Sequence, residues 1–90
     1  MEKHFVYIIY SSRYNVYYKG YSTKPFERLI EHNNNKSRYT KSKGPWEIVY
    51  IELSENKNKA LIREMQLKKY NHAYILVLIK SPNNLLNNQG

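Results

Sequence analysis

In the run Phe5-Val6-Tyr7-Ile8-Ile9-Tyr10, an extended backbone sends Phe5, Tyr7 and Ile9 to one side and Val6, Ile8 and Tyr10 to the other. Both sides are apolar or aromatic. A strand of that kind needs cover on both faces, so the segment predicts the central strand of a sheet. In a chain of 90 residues it organises everything else. A domain this small buries only ~60–65 % of the surface that its unfolded chain exposes, which leaves room for one core.

The rest of the chain supplies partners for that strand. Val16 to Tyr21 is a second β-branched and aromatic run, reached through the polar loop Ser11 to Asn15, which suits a hairpin. Ser22-Thr23 ahead of Lys24-Pro25 reads as a cap and a first-turn proline. Phe26, Leu29 and Ile30 follow at helical spacing, predicting a helix from Lys24 to Asn33 with those three as its apolar stripe. A polar, basic loop leads to Gly44-Pro45, and Trp46 to Leu53 reads as a third strand.

Ser54 or Asn56 can cap a second helix, Lys57 to Tyr70, and Asn71 separates it from a shorter one, His72 to Lys80. The apolar stretch Tyr74 to Ile79 would also suit a strand, but it follows a helix and does not alternate, which favours helix. The expected fold is α/β in the α+β sense: a three-stranded antiparallel sheet flanked by helices, in the order β-β-α-β-α-α. Residues 1–80 form the single domain. Residues 81–90, rich in Asn, are expected to fray, with Leu85 and Leu86 available to dock them.

Composition removes several classes of function. The absence of Cys excludes a disulfide scaffold, a thiolate zinc site and a cysteine nucleophile. Ala73 to Ile79, the longest apolar run, is far short of the roughly 20 residues that cross a bilayer, and Met1-Glu2-Lys3-His4 lacks the pattern of a signal peptide. A soluble, cytoplasmic protein is expected. All 7 acids are Glu, scattered from Glu2 to Glu64, which argues against a two-metal carboxylate cluster and for one metal at most. With 15 Lys and Arg the net charge is +8. Ten Tyr add rings that could stack on bases, a mix that suits nucleic acid and that an AT-rich coding sequence would also produce.

Four groups of residues could carry chemistry. Glu64 falls between Ala60 and Leu61 on the expected inward stripe of the second helix, together with Met65 and Leu67. Burying a carboxylate costs several kcal/mol unless a cation meets it, so either a structural ion pair or a metal is expected there. Arg28 and His32, four apart, share a helix face that could hold a phosphate and accept a proton, or could simply be solvated. Tyr7 and Tyr18 lie in paired strands. A phenol is roughly 0.1 % ionised at pH 7, so a catalytic tyrosine needs a positive neighbour, and Lys19 points to the face opposite Tyr18. Between residues 36 and 43, Lys36, Arg38, Lys41 and Lys43 surround Tyr39 with no acid among them, a pattern for contacting phosphates with one stacking ring, or for a solvated loop.

Taken in order, Phe5-Val6-Tyr7, Tyr18-Lys19-Gly20, Arg28 with His32, Pro45-Trp46-Glu47, and Arg63-Glu64-Met65-Gln66-Leu67-Lys68 resemble the GIY-YIG endonuclease domain. More narrowly, the chain resembles small stand-alone members related to the nuclease domain at the amino terminus of the nucleotide-excision-repair incision enzyme. The resemblance spans Phe5 to Lys80. It implies a nuclease in which Tyr7 and Tyr18 are the tyrosines of the two motifs, Arg28 binds phosphate, His32 occupies a position held by His or Tyr, and Glu64 is the sole metal-binding carboxylate. Phe5 stands where the first motif has glycine and Lys19 where the second has isoleucine.

That resemblance implies one divalent ion, Mg²⁺ or Mn²⁺, at Glu64, and DNA as the nucleic-acid substrate. Lys19, Lys36, Arg38, Tyr39, Lys41 and Lys43 are the expected nucleic-acid contacts. Without a separate recognition domain, substrate choice falls to the basic loop, to a homodimer or to a partner protein.

Overall fold

The structure is a computed structural model that describes residues 2–88. Strands β1 (His4–Ser11), β2 (Val16–Ser22) and β3 (Glu47–Ser54) form one sheet in the order β2-β1-β3, with both pairings antiparallel. The doubly apolar strand is therefore central, and Tyr7 lies between Gly20 of β2 and Ile51 of β3. Helix α1 (Pro25–Asn33) follows β2, while α2 (Lys57–Leu67) and α3 (His72–Ile79) follow β3. The third helix is a helix, as its lack of alternation predicts.

Alternation along β1 divides the core in two. Val6 and Ile8 pack with Tyr50, Ala60, Leu67, Ile75 and Leu78 under α2 and α3. Tyr7 and Ile9 pack with Trp46 and Ile51 on the other side, where Leu29 of α1 joins them. Asn56 and Asn71 start α2 and α3, each accepting a backbone N–H three residues on, from Lys59 and Tyr74, at 2.9 Å. At α1 the expected Ser-Thr cap is absent. Lys24 is the cap position with no side-chain bond, and Ser22 Oγ accepts the Lys24 N–H instead.

Two expectations about what is buried are revised. In α1, Phe26 and Ile30 are 52 % and 60 % exposed, and the inward side chains are Pro25, Leu29 and His32. In α2, Leu61 and Met65 face out, so the inward row is Ala60, Glu64 and Leu67. The helices turned to suit their tertiary partners rather than to bury their most hydrophobic residues.

The C-terminal segment is docked where fraying was expected. Asn84, almost fully buried, accepts the Ile51 N–H at 3.2 Å and donates to the Val49 carbonyl at 2.9 Å, so its amide stands in for a missing strand along the outer edge of β3. It donates also to the Ile79 carbonyl at 2.9 Å, and a short 3₁₀ turn, Leu85–Asn88, brings Leu86 against the Tyr7 cluster. Residues 89–90 of the expected tail lie outside the described residues.

Candidate active site

The site is built outward from Tyr7. Its ring crosses β2 at Gly20, where a Cβ would lie 2.5 Å from the Tyr7 Cζ and Oη. Only glycine leaves space for the ring, which gives the glycine of Tyr18-Lys19-Gly20 its physical reason. From there the Tyr7 hydroxyl meets His32 Nε2 at 2.9 Å, and His32 Nδ1 meets Thr40 Oγ1 at 2.7 Å. All three residues are buried. Trp46 Nε1 donates to the Thr40 carbonyl at 3.2 Å. Asn33 clasps the Trp46 backbone in both directions, accepting its N–H at 2.6 Å and donating to its carbonyl at 3.0 Å. That clasp ties the end of α1 to the start of β3 and so fixes the helix from which His32 projects.

Tyr18 and Arg28 flank this line. The Tyr18 ring is 5.1 Å from the imidazole, centroid to centroid, and is partly exposed. Arg28, 34 % exposed, donates to Glu31 at 2.6 Å. The shared face of Arg28 and His32 is thus not uniformly solvated: the arginine lies at the rim and the histidine inside. Burial pushes the Tyr7 phenol well up and the negative charge of an ionised Tyr18 adds to it, while the Arg28 guanidinium opposes both. Tyr18 is raised by burial and then by the Glu64 charge, again opposed by Arg28. Burial, followed by repulsion from Arg28, lowers His32 to about 4, so its imidazole is neutral at pH 7.

Glu64 comes from the opposite layer. Its side chain is 17 % exposed, its nearest cation is Lys68 at 4.0 Å, and its charge reaches both Tyr18 and Tyr7. It is not the only inward carboxylate: Glu52 is 19 % exposed. Glu52 is already occupied, however, accepting from Arg63 Nε at 3.1 and 3.2 Å and from the Tyr50 hydroxyl. A groove of about 500 Å³ borders that pair between β3, α2 and residues 82–85, and neither Tyr7 nor Tyr18 lines it. Glu64, with one loose cation, keeps its oxygens available.

Among the described residues no three His, Cys, Asp or Glu side chains gather as a metal cage. A lone carboxylate nevertheless fits a hard cation such as Mg²⁺, which commonly takes one or two carboxylates and fills its shell with water and substrate phosphate.

The basic loop stands at the mouth of the site. Lys36, Arg38, Lys41 and Lys43 are exposed and form no ion pair among the described residues. Their backbone is held: the Lys36 N–H donates to the Glu31 carbonyl at 2.9 Å, and Ser11 Oγ donates to the Lys43 carbonyl at 2.6 Å. Tyr39 is 73 % exposed and near enough to Tyr18 to raise its pKa further. Lys19 lies on the other face of β2, opposite Ile8. Burial lowers its pKa, as does Lys68, which places it beside the Glu64 end of α2 rather than beside Tyr18. Sequence reasoning missed Thr40, a residue whose only signal would have been its position in a loop of lysines. The Lys68 contact could have been found from the four-residue spacing to Glu64.

Residues 3–74 match the model of the GIY-YIG catalytic domain, and the chain belongs to that family, in which the domain is that of a nuclease superfamily. Among its relatives, a UPF0213 protein of Staphylococcus epidermidis is 41 % identical over 89 % of this chain and 98 % of its own length. A UPF0213 protein of Staphylococcus saprophyticus is 36 % identical over 88 % of this chain and 96 % of its own. The solution structure of a UPF0213 protein from Bacillus halodurans, 26 % identical, superimposes with a TM-score of 0.55 over 90 % of this chain and 86 % of the other. No helix among the described residues is long and apolar enough to cross a membrane.

Proposed function

We propose that the protein is a divalent-metal-dependent endonuclease that hydrolyses phosphodiester bonds of DNA by one in-line attack of water, leaving a 5′-phosphate and a 3′-hydroxyl. The observation that carries this reading is the buried 2.9 Å hydrogen bond from Tyr7 to His32, set beside Arg28 and within the field of Glu64. A phenol whose pKa is raised cannot hold a negative charge at neutral pH, so a tyrosine in this setting works by passing its proton on. His32, neutral and in contact, is the acceptor. As the attacking water gives its proton to the Tyr7 oxygen, the Tyr7 proton moves to His32 Nε2. Arg28 holds the phosphate and offsets the charge that grows on its non-bridging oxygens. Glu64 is the residue to hold Mg²⁺ or Mn²⁺, which when bound supplies charge neutralisation at the phosphate and the leaving oxygen. Lys36, Arg38, Lys41 and Lys43 carry the flanking backbone, Tyr39 stacks on a base, and Lys19 with Lys68 extends the positive track past Glu64.

Incubating the protein with plasmid, single-stranded and branched DNA in Mg²⁺ or Mn²⁺ tests this reading. Cleavage to 5′-phosphate ends without a protein–DNA adduct is the expected result. Binding without cleavage in every metal would leave a nucleic-acid-binding module on the same fold, and an adduct on Tyr7 or Tyr18 would replace water with a tyrosine nucleophile.

A further inference from the structure

Two buried hydroxyls, those of Tyr7 and Thr40, compete for the one unprotonated nitrogen of His32. The Tyr7 hydroxyl is buried and, as a phenol at pH 7, carries a proton that it must donate. Arg28 offers only donors. The remaining partner is His32 Nε2 at 2.9 Å; a phenol is a stronger hydrogen-bond donor than the aliphatic hydroxyl of Thr40, so the geometry points to Nε2 as the unprotonated nitrogen. A neutral imidazole has one N–H, so it sits on Nδ1, aimed at Thr40 Oγ1 2.7 Å away.

We propose that Thr40 is a positioning residue: by accepting the Nδ1 proton of His32 it keeps Nε2 free to receive the proton of Tyr7. The catalytic consequence rests on the nuclease reading, but the tautomer does not. With the ring in the other tautomer, an Nε2–H would point at the Tyr7 oxygen and the phenol would have no acceptor. With Thr40 in place the protons balance. Water loses one to the Tyr7 oxygen, Tyr7 passes its own to Nε2, and the imidazolium keeps its Nδ1–H on Thr40. The departing 3′ oxygen takes a proton from solvent, and the imidazolium later returns one there. Thr40 is well placed for this because its carbonyl is anchored by Trp46. Its neighbour Tyr39 projects into solvent, so the loop that would meet nucleic acid also sets the histidine.

The test begins with the wild-type chain labelled with ¹⁵N-histidine, whose two-bond ¹⁵N–¹H couplings at pH 7 distinguish the tautomers. The Nδ1–H form of His32 is expected in the wild type and in Thr40→Ser, and a mixed or Nε2–H pattern in Thr40→Val. With plasmid DNA and Mn²⁺, Thr40→Val should lower kcat by about tenfold to a hundredfold with KM little changed, a range typical of residues that orient a reacting group, and Thr40→Ser should restore it. An Nε2–H pattern in the wild type overturns the proposal without any variant having to fold. Thr40→Val with an intact Nδ1–H pattern and full kcat also overturns it. A wild-type chain that has the Nδ1–H form, loses it in Thr40→Val and cleaves nothing upholds Thr40 as the group that sets the tautomer and sinks the nuclease reading instead.

Discussion

The two faces of β1 bury their residues for different purposes. Under α2 and α3, Val6 and Ile8 meet Ala60, Leu67, Ile75 and Leu78, an apolar interior whose charged pair, Glu52 with Arg63, stays at the rim. Under α1, Tyr7 meets a buried histidine that in turn meets a buried threonine, while the same helix leaves Phe26 and Ile30 in solvent. Helix α1 gives up hydrophobic burial to place His32 inside and Arg28 at the edge. Such an arrangement is tolerated only because each buried polar group has a partner, an unpaired one costing ~1–3 kcal/mol. One face therefore contributes most of the hydrophobic stabilisation and the other presents the chemistry, to which α2 adds Glu64 alone.

The sharpest way to break this comparison uses the two half-buried glutamates, which have nearly equal exposure and opposite surroundings. Glu64→Gln should reduce cleavage in Mg²⁺ or Mn²⁺ by at least about a hundredfold and leave the melting temperature nearly unchanged, because Glu64 has only one loose cation to lose. Glu52→Gln should do the reverse, costing about 1–3 kcal/mol by weakening the Arg63 and Tyr50 contacts while leaving kcat intact. Similar thermal and kinetic effects in both variants would mean that Glu64 is not set apart from the structural pair beside it.

Acid should loosen the α1 face first. The folded pKa of His32, about 4, lies below its ordinary 6.5. Between those values the unfolded chain binds a proton that the folded chain refuses, so stability falls as pH drops from 6.5 towards 4 and is recovered as pH rises. Amide exchange at pH 4.5 should show α1 opening more readily relative to α2 than at pH 7, and His32→Gln should flatten that dependence. An unchanged ratio of protection between the two helices would show that His32 is not what acid titrates.

How much of this was legible follows the same division. The three strands and three helices could be read because two-residue alternation, helical spacing and the caps Asn56 and Asn71 are local signals that tertiary contacts reinforced. The rotation of α1 could not. Hydrophobicity ranks Phe26 and Ile30 above His32, and the constraints that reverse the order, the Asn33–Trp46 clasp and the Tyr7–His32 bond, span 13 and 25 residues. Asn84 and Thr40 were hidden for a related reason: one amide in an Asn-rich tail and one hydroxyl in a lysine-rich loop carry no local mark of what they will meet. Tyr7, Tyr18, Arg28, His32 and Glu64 could be singled out from their places on strands and helices and were given roles by the motif resemblance; the fold sets Tyr7, Tyr18 and Glu64 within electrostatic reach of one another and Arg28 within reach of Tyr7, Tyr18 and His32.

The loop sharpens the comparison from outside. If Lys36, Arg38, Lys41 and Lys43 touch phosphates, replacing all four with Ala should weaken duplex binding about equally for every sequence. The slope of log affinity against log salt should flatten by about 0.9 per lost contact. Salt titrations of binding in Ca²⁺ would report this, and an unchanged slope would mean that the lysines are merely solvated.

The smallest effect is expected where the sequence pattern would predict a large one. Phe26 and Ile30 look like the buried stripe of α1, and if they were buried, polar replacements would cost several kcal/mol. Exposed at 52 % and 60 %, they should instead accept Phe26→Gln and Ile30→Gln with changes within about 0.5 kcal/mol each in urea unfolding. Leu29→Ala, on the inward side of the same helix against the Tyr7 cluster, should cost at least about 1–2 kcal/mol. The contrast bears on the central claim, since α1 can present His32 and Arg28 only if it is turned away from its own hydrophobic stripe. Loss of more than about 2 kcal/mol from either glutamine variant would place that stripe in the core, rotate His32 off Tyr7, and remove the geometry on which the proton path depends.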